Sequence, residues 1–144
     1  MRSLPNSRGL YLLDTNVISE FRKNPPAPGV VAFLRSQSPA SMHLSVLTLG
    51  ELRRGVVKKE ARSPGTTESL RQWIAELEQT FAGRILPVDA DIARIWGEIT
   101  VRRTFPVADA IIAATAIHHN LTLVTRNSKD VQDLPVRLHN PWLA

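Results

Sequence analysis

Cysteine is absent from all 144 residues. Its absence excludes disulfides, thiolate zinc centres and a cysteine nucleophile, and fits a reducing compartment such as the cytoplasm. No apolar run approaches the roughly 18 residues that a membrane span needs. Met1–Gly9 lacks the apolar core of a secretory signal, and Leu10–Leu13 is too short to supply one. Residues 1–9 read as a flexible extension on a single domain spanning 1–144. Acidic side chains are the scarcer charge, 13 against 18 Lys and Arg, which leaves the chain at +5. Such a surplus favours a polyanion such as RNA through counterion release, although it also serves solubility.

What is present is a repeated strand-then-helix pattern. Leu10–Leu13 reads as a buried strand, followed by a helix capped by Thr15 or Asn16 that runs to about Lys23. Pro25, Pro26 and Pro28 end it. A short helix fits Gly29–Ser36, a strand His43–Val46, and a helix about Thr48–Glu60. Ala61–Thr67 reads as a loop. Thr67, Leu70, Trp73, Ile74, Leu77 and Phe81 form one helical stripe. A strand over Ile85–Val88 precedes a helix started by Asp89 or Asp91. Pro106 opens an apolar helix to His119, Asn120 stops it, and strands follow at Leu121–Thr125 and Val136–Leu138. The alternation predicts an α/β fold, a three-layer α/β/α sandwich with a mostly parallel central sheet.

Few as they are, the acids are placed informatively. Asp14 stands at the carboxyl end of the first strand, the edge where open α/β sheets bind ligands, though it also suits a helix cap. Glu51 lies one turn into the helix after the second strand, and Arg54 at i+3 offers it a surface ion pair. Asp109 is the sole charge in VADAIIAATAI. So apolar a helix is expected to be buried, which requires a metal for this carboxylate or a partner among Arg102, Arg103 and Arg126. A further strand ends Thr125-Arg126-Asn127, with Asp130 one turn on. Hard oxygen donors of this kind suit Mg²⁺ or Mn²⁺, which activate water and stabilise charge on a phosphate. A carboxylate such as Glu51 would accept the water's proton. Arg53-Arg54 and Lys58-Lys59 flank Glu51 and either position phosphate or form a solvated face.

The segments LLDTNVISE, LSVLTLGELRRG, PVADAIIAATA and LVTRNSKD, with the terminal VRLHNPW, resemble the PIN-domain ribonucleases, in particular VapC-type toxins of bacterial toxin–antitoxin pairs. The likeness runs from about Tyr11 to Trp142. It implies a Mg²⁺- or Mn²⁺-dependent endoribonuclease, neutralised by an antitoxin that is often a DNA-binding repressor, in a homodimer or a toxin–antitoxin hetero-oligomer. It implies metal-site acids at Asp14, Glu51 and Asp109, with Thr15 and Asn16 orienting the first. Its fourth acidic position falls on Asn127 here, and Asp130 is the nearest replacement. The stretch from Trp96 to Pro106 is shorter than its family counterpart, and Val131 stands where the family usually has an aromatic.

Other residues fit blander roles. His118 and His119 complement a helix end, and share no ligand spacing with His43 or His139. Ser19 and Ser45 sit in no nucleophile elbow, and Gly50 and Gly55 make no phosphate loop. Trp73 and Trp96 fall on helix stripes as core or interface residues. Two rivals to the nuclease remain. One is a weakly active or inactive PIN module working in an antitoxin–DNA regulatory complex. The other is a phosphatase, which the lack of a second Asp after Asp14 disfavours.

Overall fold

Alternation along two short strands sets the architecture. In the computed structural model, which describes residues 9–143, Leu12 and Leu123 are buried on one side of a sheet, and Leu13, Leu44 and Val124 on the other. A two-residue period produces this division, and burial on both faces explains why these strands are almost wholly apolar. The strands are β1 (Tyr11–Leu13), β2 (Met42–Ser45), β3 (Ile85–Leu86), β4 (Thr122–Val124) and β5 (Leu138–His139). They form one sheet in the order β3-β2-β1-β4-β5, and every pairing is parallel. The expected α/β fold is therefore found, with a fully rather than mostly parallel sheet. The sequence-expected extension falls largely on residues 1–8, outside those described.

Seven helices accompany the described strands: α1 (Thr15–Glu20), α2 (Pro28–Arg35), α3 (Val46–Arg62), α4 (Glu68–Thr80), α5 (Ala90–Ile99), α6 (Val107–His118) and α7 (Ser128–Val131). One core packs Ala110, Ile112, Ala113 and Ala116 of α6 with Leu12 and Leu123, and Trp96 and Ile99 of α5 close against it. The other packs Val17 and Ile18 of α1 and Val30 of α2 with Leu13 and Val124, backed by Trp73 and Leu77 of α4. α3 contributes to both, through Leu47 and Leu52 respectively.

Several boundaries differ from the sequence reading, each for a local reason. α1 stops at Glu20 rather than Lys23, because the buried Glu20 carboxylate turns to accept the Ala27 N–H (2.7 Å) and pair with Lys23 (3.1 Å). These bonds lower the pKa of Glu20, the Ala27 N–H first among the causes. α3 starts earlier, since Ser45 caps it by accepting the Leu47 N–H at 3.0 Å. It also runs two residues past Glu60, whose carboxylate then gathers Gly65 N–H and Thr67 Oγ1 into the turn. β3 ends at Leu86, before Pro87, which has no N–H to donate. β5 begins later than expected because the Val136 N–H bonds Leu134 O in a turn.

Two positions depend on backbone geometry. Asn120 adopts φ 56° after α6, with its N–H on Ile117 O and the Leu121 N–H on Ala116 O. Those paired bonds form a Schellman closure, in which Asn is a tolerated left-handed residue. Gly29 opens α2 beneath the C-terminal segment, and a Cβ there would collide with the Pro141 carbonyl oxygen. The terminal Asn140-Pro141-Trp142 is thereby seated on α2, with Trp142 against the second core.

Candidate active site

The strand order reverses at β1. The chain moves outward from β1 through β2 to β3, then returns to place β4 on the other side. Ligands bind such sheets at the carboxyl ends of the strands flanking the reversal. Here those ends deliver Asp14 and Thr125.

Asp14 does two things at once. Its Oδ1 accepts the Thr15 N–H (2.8 Å) and so caps α1, as the blander reading predicts. Its Oδ2 accepts the Thr125 hydroxyl (2.8 Å) and faces Asn16 Nδ2 (3.4 Å). Asn16 braces the arrangement further: Nδ2 reaches Thr125 Oγ1 (3.3 Å), and Oδ1 accepts the Arg126 N–H (3.2 Å). The Asn127 N–H closes the loop onto Thr125 Oγ1 at 3.0 Å. Asp14 is only 7% exposed, and burial raises its pKa. The Thr125 and Thr15 bonds oppose that rise, while the Glu51 charge adds to it.

Glu51 approaches from α3. Its Oε1 accepts the Thr15 hydroxyl at 2.5 Å, and Thr15 Oγ1 lies 3.0 Å from Thr48 Oγ1. Its carboxylate thus meets α1, and the expected ion pair with Arg54 does not form. Asp109 sits in the first turn of α6, half-buried rather than fully buried as its apolar segment suggests. Burial, then the charges of Asp14, Glu51 and Asp130, push its pKa up to about 6. Asp14, Glu51 and Asp130 thus all lie within electrostatic reach of Asp109.

None of the three arginines considered for Asp109 pairs with it. Arg103 grips Asp133 through Nε (3.0 Å) and a terminal nitrogen (2.8 Å), and its guanidinium lies 3.6 Å from the Phe105 ring centre. Arg126 lies over Trp142 at 5.3 Å. Among the described residues, no ion pair reaches Asp14, Glu51, Asp109 or Asp130. Asn127 precedes α7 without a side-chain cap bond, so the negative charge at this corner comes from Asp130.

The basic pair divides. Arg53 is held by Glu78 of α4 at 3.0 Å. It lies about 200° round α3 from Glu51 and is committed away from the acids. Arg54, at i+3, stays exposed on the Glu51 side.

The acids are close without being collapsed. Among the described residues, the His, Asp and Glu donors that all lie within 4.8 Å of one another belong to Asp89, Asp91 and His118. No three of Asp14, Glu51, Asp109 and Asp130 meet that distance, as expected for uncompensated carboxylates that repel. The Asp89 group lies at the opposite end of α6 from Asp109, and each member also makes a contact of its own. Asp89 caps α5 through the Ile92 N–H (2.9 Å), Asp91 pairs with Arg94 (2.9 Å), and His118 packs edge-on against His119. Asp89 and Asp91 therefore start a helix as expected, and their meeting with His118 is a tertiary result that no sequence spacing announces.

Thr125 and Thr48 are the residues that sequence reasoning passed over. Both are buried hydroxyls beside an acid, and the available signal was a Thr at a strand end and another three positions before Glu51. A separate hollow of about 300 Å³ is lined by Ile18, Phe21, Leu34, Trp73, Leu77 and Phe81 among others, and includes none of the acids. Its apolar walls offer no group for acid–base or metal chemistry.

Comparison with known proteins agrees with this geometry. The model of the PIN domain matches residues 11–134. The toxin FitB of Neisseria gonorrhoeae is 40% identical over 140 residues, covering 92% of this chain and 99% of the relative. The VapC ribonuclease Y4jK of Sinorhizobium fredii is 33% identical over 138 residues, covering 92% and 98%. A solved structure of FitAB bound to a DNA fragment superposes with a TM-score of 0.80 at 35% identity, covering 94% of this chain and 97% of that one.

Proposed function

This chain belongs to the PIN domain family, and from that premise we propose that it is the ribonuclease toxin of a toxin–antitoxin pair, dependent on Mg²⁺ or Mn²⁺. One observation carries the chemical part: three further acids act on Asp109 at the sheet reversal, and among the described residues none of the four forms an ion pair. Oxygen donors with uncompensated charge fit a hard divalent ion. Asp14 and Asp109 would hold it, with Glu51 and Asp130 bound directly or through water, and it would supply activation of a water and stabilisation of charge on the phosphate.

The protein's own groups do the rest. Thr125 and Asn16 fix the Asp14 carboxylate, and Thr15 fixes that of Glu51. Glu51 is exposed and so free to take a proton from an attacking water at its carboxylate. Arg54 binds the RNA backbone beside it. The relative FitAB is bound to DNA, and a cognate DNA-binding antitoxin is the partner proposed here, in the cytoplasm where both nucleic acids are found. Among the described residues, no helix is long and apolar enough to cross a membrane.

Cleavage of RNA should appear on adding Mg²⁺ or Mn²⁺ and stop with EDTA, while p-nitrophenyl phosphate stays intact. Cleavage that persists in EDTA, with contaminating nuclease excluded, would overturn the metal assignment. Preference for the small ester would favour the phosphatase. Asn127 in place of an acid is what favours the second reading, a regulatory module of an antitoxin–DNA complex. That reading requires the parent to be weakly active or inactive on RNA at any metal concentration.

The split of the basic pair gives a further expectation. Arg54→Glu should weaken RNA binding and lower the slope of log affinity against log salt by about one or more. Arg53→Glu should leave that slope unchanged, because its loss falls on Glu78. Equal slopes for the parent and the Arg54 variant, measured by fluorescence anisotropy, would move the RNA path elsewhere.

A further inference from the structure

We propose that Thr48 is a positioning residue for the reaction, acting through the Thr15 hydroxyl to fix the Glu51 carboxylate; this rests on the nuclease reading above. Thr48 is fully buried at the start of α3, one turn before Glu51. Thr48 lies in the first turn of α3, where the residue four back is Leu44 of β2, so its hydroxyl has no helical carbonyl of that register to bond. Hydroxyls farther along a helix do turn back on it: Thr115 within α6 bonds Ile111 O (2.8 Å), and Thr100, the C-cap of α5, bonds Trp96 O (2.7 Å). Thr48 instead crosses to another element, 33 residues away, and meets Thr15 Oγ1 at 3.0 Å.

Proton counting gives the chain a direction. Thr15 has one hydroxyl proton, and the nearer, charged acceptor is Glu51 Oε1 at 2.5 Å. The Thr15–Thr48 contact is then made by the Thr48 proton, donated to the Thr15 oxygen. Each donor in such a chain polarises the next. The buried end is immobilised by packing, and the exposed end is the carboxylate. A side chain as free as an exposed glutamate is thus held from the interior, and α1, which Asp14 caps, is tied to α3, which carries Glu51, at the site itself.

The test compares the parent with Thr48→Val, Thr48→Ser, Thr15→Val and the Thr15→Val/Thr48→Val double variant. Valine keeps the volume and removes the hydroxyl. Mn²⁺ binding is read by electron paramagnetic resonance without RNA, beside melting temperature and the kcat–KM split for cleavage. Thr48→Val should bind Mn²⁺ about tenfold more weakly, in the range seen when outer groups orienting a ligand are lost. It should lose kcat with KM for RNA unchanged, and melt within about 2 °C of the parent. Thr48→Ser should restore both binding and kcat. The double variant should be no worse than Thr15→Val alone, because both act along one path. Parental Mn²⁺ binding by Thr48→Val, failure of serine to rescue, or additive losses in the double variant would each overturn the proposal. If Thr48→Val does not fold, the comparison of Thr48→Ser and Thr15→Val with the parent decides: serine must match the parent while Thr15→Val loses Mn²⁺. Glu51→Gln separates the two levels. If it binds Mn²⁺ and cleaves like the parent, the nuclease reading of Glu51 fails; if it is inactive while Thr48→Val is normal, only the role of Thr48 fails.

Discussion

Asp14→Asn and Asp109→Asn should each lower RNA cleavage by at least about a hundredfold, the scale on which loss of a single acid–base or metal-holding group usually registers. Asparagine suits both positions because it separates charge from shape. At Asp14 it still caps α1, since Asn and Asp are about equal as caps, whereas alanine would also cost the helix about 1 kcal/mol. One structural cost remains: the amide nitrogen must face either the Thr15 N–H or the Thr125 and Asn16 donors. Circular dichroism of both variants should match the parent, and discontinuous assays should use RNA in excess Mn²⁺. Activity within about threefold of the parent in either variant would remove that carboxylate from the reaction. It would also return Asp14 to a capping role alone.

In the absence of metal the same Asp109→Asn change should raise the melting temperature. Asp109 has its pKa pushed up to about 6 by burial and by three neighbouring acids. An acid whose folded pKa exceeds its unfolded value contributes most to stability below about pH 4, where it is protonated in both states. That contribution is lost as pH rises through about 6. After discounting for partial exposure, removing the charge should be worth about 1–2 kcal/mol at neutral pH, or roughly 3–8 °C. The gap between variant and parent, measured in EDTA by calorimetry, should be near zero at pH 4 and level off above pH 7. Added Mn²⁺ should close or reverse it, because only the parent gains the ion's full binding energy. A variant that melts below the parent at pH 7 in EDTA would make Asp109 a structural partner rather than a repelled ligand.

Much of this site is local, and that part is legible in sequence. Asp14 is readable because one apolar strand runs straight into a helix-capping triplet. Asp109 is readable because a charge inside VADAIIAATAI has no bland explanation. The sheet, too, follows from five short strand-forming runs separated by helical stretches. What escapes is whatever depends on side chains meeting across the chain. Arg53 and Arg54 look interchangeable until α4 presents Glu78 to one of them. Arg103 resembles a partner for Asp109 until Asp133 takes it. Thr125 and Thr48 are unremarkable letters whose hydroxyls acquire meaning only when β4 lies beside β1 and α3 beside α1. The short edges β3 and β5 were misjudged by one to two residues, because Pro87 and the turn at Val136 decide where pairing begins and ends.

The hydrogen bond from Thr125 to Asp14 joins residues 111 positions apart, and this has a consequence for the order of events during synthesis. Translation at about 5–20 residues per second separates the two by roughly 6–20 seconds. During that interval the growing chain holds Asp14 and then Glu51, but has no Thr125 to orient the first acid, and for most of it no Asp109. β1 is also without β4, so one flank of the sheet reversal is open. On the ribonuclease reading, the growing chain therefore has no oriented Asp14 and no complete set of acids until β4 and Asp130 have been made.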